Sequence, residues 1–423
     1  VKVRGTIRVP GDKSITHRAL LFAALARGRS YIGGALTSLD ARSSARVLRQ
    51  LGAEISPLRM GSVIEVSGRG RLRRADDVLD CGNSGTTTRL LLGMLAGHRF
   101  AATLTGDSSL RRRPMRRVTV PLVQMGARFT GMPGDGLPLT IRGGALLPLR
   151  YEQPVSSAQI KSCLLLAGVT GKVGVAVREP FGRSRDHTER LLRAFGFGVV
   201  DSAGGWVEMS PTGKIEPFAM QVPGDPSSAA FLVGAALLAE SGELRISSVG
   251  TNPTRIGFLA VLERMGAAPR VEAATTEFGE PVGDLVMSPV PLRGTEVVAA
   301  EIPSLIDEIP LLAVVASRAS GTTIFRDVGE LRVKESDRLG LMAENLRAVG
   351  ATAEVHGDDL HVRGSDRTPS GKVRTAGDHR LAMAFAVLGS VPGARITIDD
   401  MQCADVSFPR FRETLASIRG RGR

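Results

Sequence analysis

The feature that most restricts how this chain can fold is a short pattern repeated along its length. An amphipathic run ends in a hydrophobic residue, then glycine, and a β-leaning segment follows. The pattern occurs at Val47–Ala53, Leu122–Ala127, Leu191–Gly196, Val261–Ala267 and Asn345–Ala351. Its glycines, at 52, 126, 196, 266 and 350, are 74, 70, 70 and 84 residues apart. Glycine at that point supplies the left-handed residue that closes a helix before the chain turns into a strand. A degenerate sixth copy ends at Ile418-Arg419-Gly420. Divided by six, the 423 residues give units of about 70, so the chain reads as six α/β units. A chain of this length also exceeds one ordinary core, which predicts two domains or a repeated architecture.

A longer echo groups the units. Val9-Pro10-Gly11-Asp12-Lys13-Ser14 precedes an Ala/Leu-rich helix at 19–26, and Val222-Pro223-Gly224-Asp225-Pro226-Ser227 precedes another at 229–239. In both copies Pro-Gly breaks a strand and Asp or Ser can cap the helix that follows. The offset of 213 residues is half the chain. Two domains of three units each are therefore expected: 12–223, and 224–423 together with 1–11. The crossings between them are expected near 11–13 and 222–226.

Composition narrows the class. With 43% hydrophobic and 23% charged residues, wholesale disorder is excluded. The longest apolar or glycine run, 229–239, is far short of the ~20 residues a membrane helix needs. Val1-Lys2-Val3-Arg4-Gly5 has no apolar signal region, and three scattered cysteines without a CxxC pair fit reduced thiols in a cytoplasm rather than a disulfide framework or zinc site. The formal charge of +13 calls for an anionic partner, with nucleic acid the first candidate. Only 4% of residues are aromatic, too few for base-stacking platforms. A small anionic metabolite stays open.

Several segments can carry chemistry. Lys13, His17 and Arg18 open the first VPGD helix, where Pro226, Ala229 and Ala230 stand near the second. Cations oppose the dipole at a helix N-terminus, but with free amides they make an anion site. Asp80 to Leu90 reads as a glycine- and threonine-rich loop entering a helix, without the GK[ST] ending of a P-loop. Arg111 to Arg117 holds five arginines in seven residues, which fits either a solvated loop or a set of anion forks. Leu331 to Leu339 reads as a helix start with Lys334 and Arg338 one turn apart on one face. Gly377-Asp378-His379-Arg380 puts another arginine at a helix start, and Asp307 interrupts an apolar run. His356 and His361 read as surface histidines of a polar hairpin.

Taken together, the motifs PGDKSITHRALL, GNSGTTTRLL, RRRPM, SSAQIKS, RDHTE, LRVKESDRL, GDHRLAMA and SFP, in this order through nearly the whole chain, resemble those of the enolpyruvyl transferases, and most closely their shikimate-pathway branch. The resemblance implies an inside-out α/β barrel of two domains, each of three βαβαββ units. It implies transfer of the enolpyruvyl group of phosphoenolpyruvate to the 5-hydroxyl of shikimate 3-phosphate, with no cofactor, no metal, no nucleic-acid or membrane partner, and a monomeric cytoplasmic enzyme. By the same resemblance Lys13, Ser14, Arg18, Ser157, Ala158, Gln159, Arg185, Asp307 and Lys334 hold shikimate 3-phosphate. Lys13, Gly85, Arg113, Gln159, Arg338 and Arg380 line the phosphoenolpyruvate pocket. Asp307 accepts the proton of the 5-hydroxyl, and Glu335 or Lys13 protonates the methylene carbon. Such a set makes physical sense, because two polyanions meet only where cations offset their repulsion.

Two comparisons sharpen the expectation. Val406 stands before Ser407-Phe408-Pro409 where many relatives carry a lysine that contacts phosphoenolpyruvate. Gly85 is kept where some glyphosate-tolerant members carry Ala, so inhibition by glyphosate competitive with phosphoenolpyruvate is expected. The nearest rival is the sister enzyme acting on UDP-N-acetylglucosamine, which usually uses a loop cysteine as acid; the matching loop here, 108–117, has none. A basic nucleic-acid binder is the rival from another class.

Overall fold

The structure is a computed structural model and describes residues 2–131, 134–181 and 183–420. The chain divides into two compact units. The first comprises Gly11–Val222 and Glu277–Glu280, and the second comprises 1–10, 223–276 and 281–423. The four residues 277–280 are the tip of the hairpin formed by Arg270–Glu277 and Glu280–Met287.

In the first unit three four-stranded sheets share one plan. Each contains a parallel pair: Ala219–Gln221 with Arg27–Gly33, Leu79–Asp80 with Ala101–Thr105, and Leu149–Glu152 with Val175–Arg178. Each then continues antiparallel through a hairpin, as where Leu139–Arg142 pairs both Ala101–Thr105 and Arg128–Thr130. Parallel neighbours need a crossover. Helices Gly85–Ala96 and Ala158–Gly171 supply two of these, and Lys13–Leu25 leads into the strand Arg27–Gly33. These three helices are buried nearly all round and so lie inside the unit. Two of them touch so closely that a Cβ at Gly93 would stand 2.0 Å from the Cys163 carbonyl oxygen. Only glycine fits there.

The second unit repeats the plan with variations. A five-stranded sheet places Lys2–Ile7 parallel to Ser241–Gly250 and antiparallel to Arg419–Gly420. A four-stranded sheet is built on Glu296–Val297 and Thr322–Phe325, and a two-stranded parallel pair joins Ser370–Val373 to Arg395–Ile398. Its buried helices are Pro226–Leu237, Ile309–Ala316 and His379–Leu388. Each unit has its own apolar core.

The five repeated glycines behave as their spacing predicts. Gly52, Gly126, Gly196, Gly266 and Gly350 have φ of 96°, 107°, 77°, 102° and 89°, each just beyond an outer, half-exposed helix such as Leu39–Gln50 or His187–Ala194. Cys81, Cys163 and Cys403 are free thiols. No helix among the described residues is long and apolar enough to cross a membrane, and no group of His, Cys, Asp or Glu among them is placed to hold a metal ion.

Candidate active site

In the first unit the expected residues gather at the N-terminal ends of the three buried helices. Asp12 caps Lys13–Leu25 by accepting from the Ile15 amide at 2.8 Å, and Ser84 caps Gly85–Ala96 by accepting from Thr87 at 3.2 Å. Ser157 precedes Ala158–Gly171 without capping it through its hydroxyl. The cations at these ends do not fray into solvent. Lys13 Nζ lies 3.3 Å from Asp40 Oδ2. Arg18, 2% exposed, donates from Nε to Thr188 Oγ1 and from Nη2 to Ser162 Oγ, both at 2.7 Å, and from Nη1 to the Ser14 carbonyl at 2.9 Å. Desolvation lowers its pKa to about 10, with Glu189 and Asp12 opposing, so it stays charged at neutral pH. Arg185 Nη1 donates to Ser14 Oγ at 3.4 Å. Lys13, Ser14, Arg18 and Arg185 are thus one connected group.

Gly85, Arg113 and Gln159 form its neighbour. Gln159 Nε2 donates to Thr86 Oγ1 at 3.0 Å, and its Oε1 accepts from Arg89. Arg113 Nη2 donates to Asn83 Oδ1 at 2.8 Å. A Cβ on Gly85 would lie 3.2 Å from Arg113 Nη1 and 3.4 Å from Arg89 Nη1, so this glycine faces both guanidiniums. Arg113 therefore has an assigned place, whereas Arg111, Arg112 and Arg116 of the same run are exposed. Asp40 and Arg89 went unassigned in the sequence. The signal for Arg89 was its position four residues after Gly85, one turn along the same face.

His17 sits among these groups, fully buried, with Nδ1 2.7 Å from Ser44 Oγ; that hydroxyl is 2.7 Å from Thr87 Oγ1. Burial pulls the imidazole pKa from 6.5 to about 4, against the attraction of Asp40. As pH falls from 6.5 toward 4 the unfolded chain takes up a proton that the folded chain cannot, so stability is lost across that window. At about 1.4 kcal/mol per pH unit this amounts to roughly 2 kcal/mol by pH 4.5. Urea unfolding at pH 7 and pH 4.5 should show the native protein losing more than His17→Asn by about that amount. Equal losses in the two proteins would refute this assignment.

In the second unit Asp307, Glu335, Arg338 and Arg380 converge. Arg338 is fully buried. Its Nε donates to Asp378 Oδ2 at 2.8 Å and its Nη2 to Glu335 Oε2 at 2.5 Å, while its Nη1 is 3.6 Å from Asp307 Oδ1. Arg380 Nη2 is 3.4 Å from Asp307 Oδ2, and its Nη1 donates to the Asp307 carbonyl at 3.2 Å. Asp378 also caps the helix His379–Leu388 through the Arg380 amide at 2.9 Å. Desolvation opposes the Arg338 charge, but Asp378, Glu335 and Asp307 outweigh it and raise its pKa. Desolvation lowers that of Lys334, with Asp307 foremost in opposing.

Lys334 and Arg338 do not share a helix face, as the sequence suggested. Gly329–Val333 is a 3-10 turn, Lys334 falls after it, and a new helix starts at Arg338 with Asp337 accepting from the Gly340 amide at 3.1 Å. The cap at Asp337 and the pull of Asp378 on Arg338 set that start. Glu308 is a second surprise. It is 2% exposed beside Asp307, accepts from Ser227 Oγ, and its pKa is raised by burial. Val406 ends a 3-10 turn at Gln402–Val406.

The two-unit α/β plan is the fold of the enolpyruvyl transferases. The crystal structure of the enolpyruvyl transferase NikO from Streptomyces tendae shares the fold, with a TM-score of 0.78 at 18% identity over 99% of this chain and 95% of that one. Within this class the chain belongs to the EPSP synthase (3-phosphoshikimate 1-carboxyvinyltransferase) family, whose model matches residues 1–415. EPSP synthase from Acinetobacter baumannii superposes with a TM-score of 0.88 at 37% identity, covering 99% of this chain and 96% of that one. The 3-phosphoshikimate 1-carboxyvinyltransferase of Desulfitobacterium hafniense is 46% identical over 99% of this chain and 96% of its own. That of Gloeobacter violaceus is 48% identical over 99% and 97%.

Proposed function

We infer that the protein transfers the enolpyruvyl group of phosphoenolpyruvate to the 5-hydroxyl of shikimate 3-phosphate, releasing phosphate. The observation that carries this reading is Asp307, a carboxylate held by Arg338 and Arg380 in a family that performs this transfer. In the reading, Lys13, Ser14, Arg18, Ser157, Ala158, Gln159, Arg185, Asp307 and Lys334 bind shikimate 3-phosphate. Lys13, Gly85, Arg113, Gln159, Arg338 and Arg380 bind phosphoenolpyruvate, and Arg89 joins them through its bond to Gln159.

Asp307 takes the proton of the 5-hydroxyl as the hydroxyl oxygen bonds to C2 of phosphoenolpyruvate, while Glu335 or Lys13 delivers a proton to C3. The tetrahedral adduct then breaks its C2–O bond to phosphate, which leaves with the proton held by Asp307, and the new methyl group returns a proton to the residue that supplied it, which restores the double bond. The surrounding cations stabilise the charge that gathers on the departing phosphate. The reading takes the enzyme to be a cytoplasmic monomer that uses neither metal nor organic cofactor. Its test is acceptor choice. Turnover of phosphoenolpyruvate with shikimate 3-phosphate and none with UDP-N-acetylglucosamine is expected, and the reverse preference would overturn the reading.

Gly85 sharpens the inhibitor expectation. Glyphosate should inhibit competitively with phosphoenolpyruvate. Gly85→Ala, whose methyl presses on Arg113 and Arg89, should raise the inhibition constant on the order of tenfold or more, because a filled site has no slack for an added carbon. Steady-state inhibition of both proteins checks this. Full native activity at millimolar-scale glyphosate is the contrary result.

A further inference from the structure

One buried cation belongs to none of the binding sets above. Lys161 is fully buried in the helix Ala158–Gly171, one turn beyond Ser157, and its amide donates to the Ser157 carbonyl at 3.1 Å. Its Nζ lies 2.8 Å from Glu179 Oε2 and 2.8 Å from Glu189 Oε1, and donates to the Ser184 carbonyl at 3.4 Å. Glu179 Oε2 also accepts from the Ser184 amide at 3.2 Å. The ammonium therefore ties Glu179 and Ser184 to each other and to this helix. The residue after Ser184 is Arg185.

The same knot reaches Arg18. Its neighbours in sequence, Ser162 and Thr188, receive the two 2.7 Å bonds from Arg18, and Thr188 Oγ1 donates to Ser162 Oγ at 2.7 Å. Glu189, fully buried, attracts both cations. Burial disfavours the Lys161 charge, but the two carboxylates, Glu189 foremost, outweigh it and raise the pKa.

Stability alone does not call for such a triad. Well-packed hydrophobic residues of similar volume hold a core as well as a buried ion pair does. What the triad adds is direction. It fixes three chain segments at one point: the helix start with Ser157 to Gln159, the segment ending at Arg185, and the helix His187–Ala194 whose Thr188 holds Arg18.

We propose that Lys161, with Glu179 and Glu189, is a positioning residue for the shikimate 3-phosphate half of the site, setting Arg185 and Arg18 against Ser157 to Gln159. The proposal rests on the functional reading above for its substrate but not for its geometry. Displacing binding groups by about an ångström costs up to a hundredfold. Lys161→Met is therefore expected to raise KM for shikimate 3-phosphate about tenfold or more, with kcat and KM for phosphoenolpyruvate within about threefold.

The experiment combines these kinetics with amide hydrogen exchange of the free protein over residues 183–190, which should quicken about tenfold while the core helices are unchanged. Should Lys161→Met leave two buried carboxylates and fail to fold, the charge-neutral triple variant Lys161→Met, Glu179→Gln, Glu189→Gln and the single variant Glu189→Gln are judged by the same criteria. A folded variant with unaltered exchange at 183–190 overturns the proposal, as does an unaltered KM for shikimate 3-phosphate. A general loss of kcat and thermal stability with both KM values unmoved also overturns it. If the native enzyme ignores shikimate 3-phosphate, the functional reading fails, and the exchange measurement still decides the role of Lys161.

Discussion

Asp307→Asn is expected to lower kcat by about 10²- to 10⁴-fold, the range a general base contributes, while the protein stays folded. The carboxylate is partly exposed and meets Arg338 and Arg380 at 3.6 and 3.4 Å. Asparagine keeps the shape and one acceptor oxygen but cannot take the hydroxyl proton. Because the loss concerns the transition state, kcat and kcat/KM should fall together, with KM for either substrate changing little. Single-turnover kinetics with both substrates would isolate the chemical step. A variant with kcat within about threefold of native removes Asp307 from the role of base.

Arg338→Met should have the largest effect on stability. Arg338 is buried among Asp378, Glu335 and Asp307, and its removal leaves carboxylates without their cation. Breaking a buried pair from one side costs about 3–5 kcal/mol, which urea unfolding would read as a lowered midpoint. Arg338→Lys should not rescue it. An ammonium cannot reproduce the fork that reaches Asp378 through Nε and Glu335 through Nη2. A loss under about 1 kcal/mol for Arg338→Met would show that the carboxylates are held apart by other means.

The parts of this molecule legible in the sequence are those set by local chemistry. Glycine after a helix needs positive φ, so the pattern at Gly52, Gly126, Gly196, Gly266 and Gly350 could be read directly. Asp12 and Asp225 were legible because they sit one residue ahead of helices they cap. Residues whose partners lie far along the chain were not legible. Lys161 acts on Glu179 and Glu189, and Glu308 accepts from Ser227, and no spacing rule connects such pairs. Lys334 and Arg338 were misread because four residues fit one helical turn only if the helix is continuous. Here an Asp337 cap interrupts it.

The charge of +13 is also better understood. Lys13, Arg18, Arg113, Arg185, Lys334, Arg338 and Arg380 are the cations the functional reading assigns to two polyanionic substrates. Others, such as Arg245 between Glu272 and Asp284 and Arg326 between Glu296 and Asp359, belong to half-exposed ion pairs. Such pairs contribute little to stability each. Arg71, Arg73 and Arg74 are exposed basic residues with no role in the proposed site, and the tail Arg421-Gly422-Arg423 lies outside the described residues.

The most direct measurement is phosphate release by the purified protein with each substrate alone and with both. Stoichiometric phosphate and 5-enolpyruvylshikimate 3-phosphate are expected only when shikimate 3-phosphate and phosphoenolpyruvate are both present, with Asp307→Asn abolishing nearly all of it. Phosphate release from phosphoenolpyruvate alone, or none with the pair, would contradict that expectation.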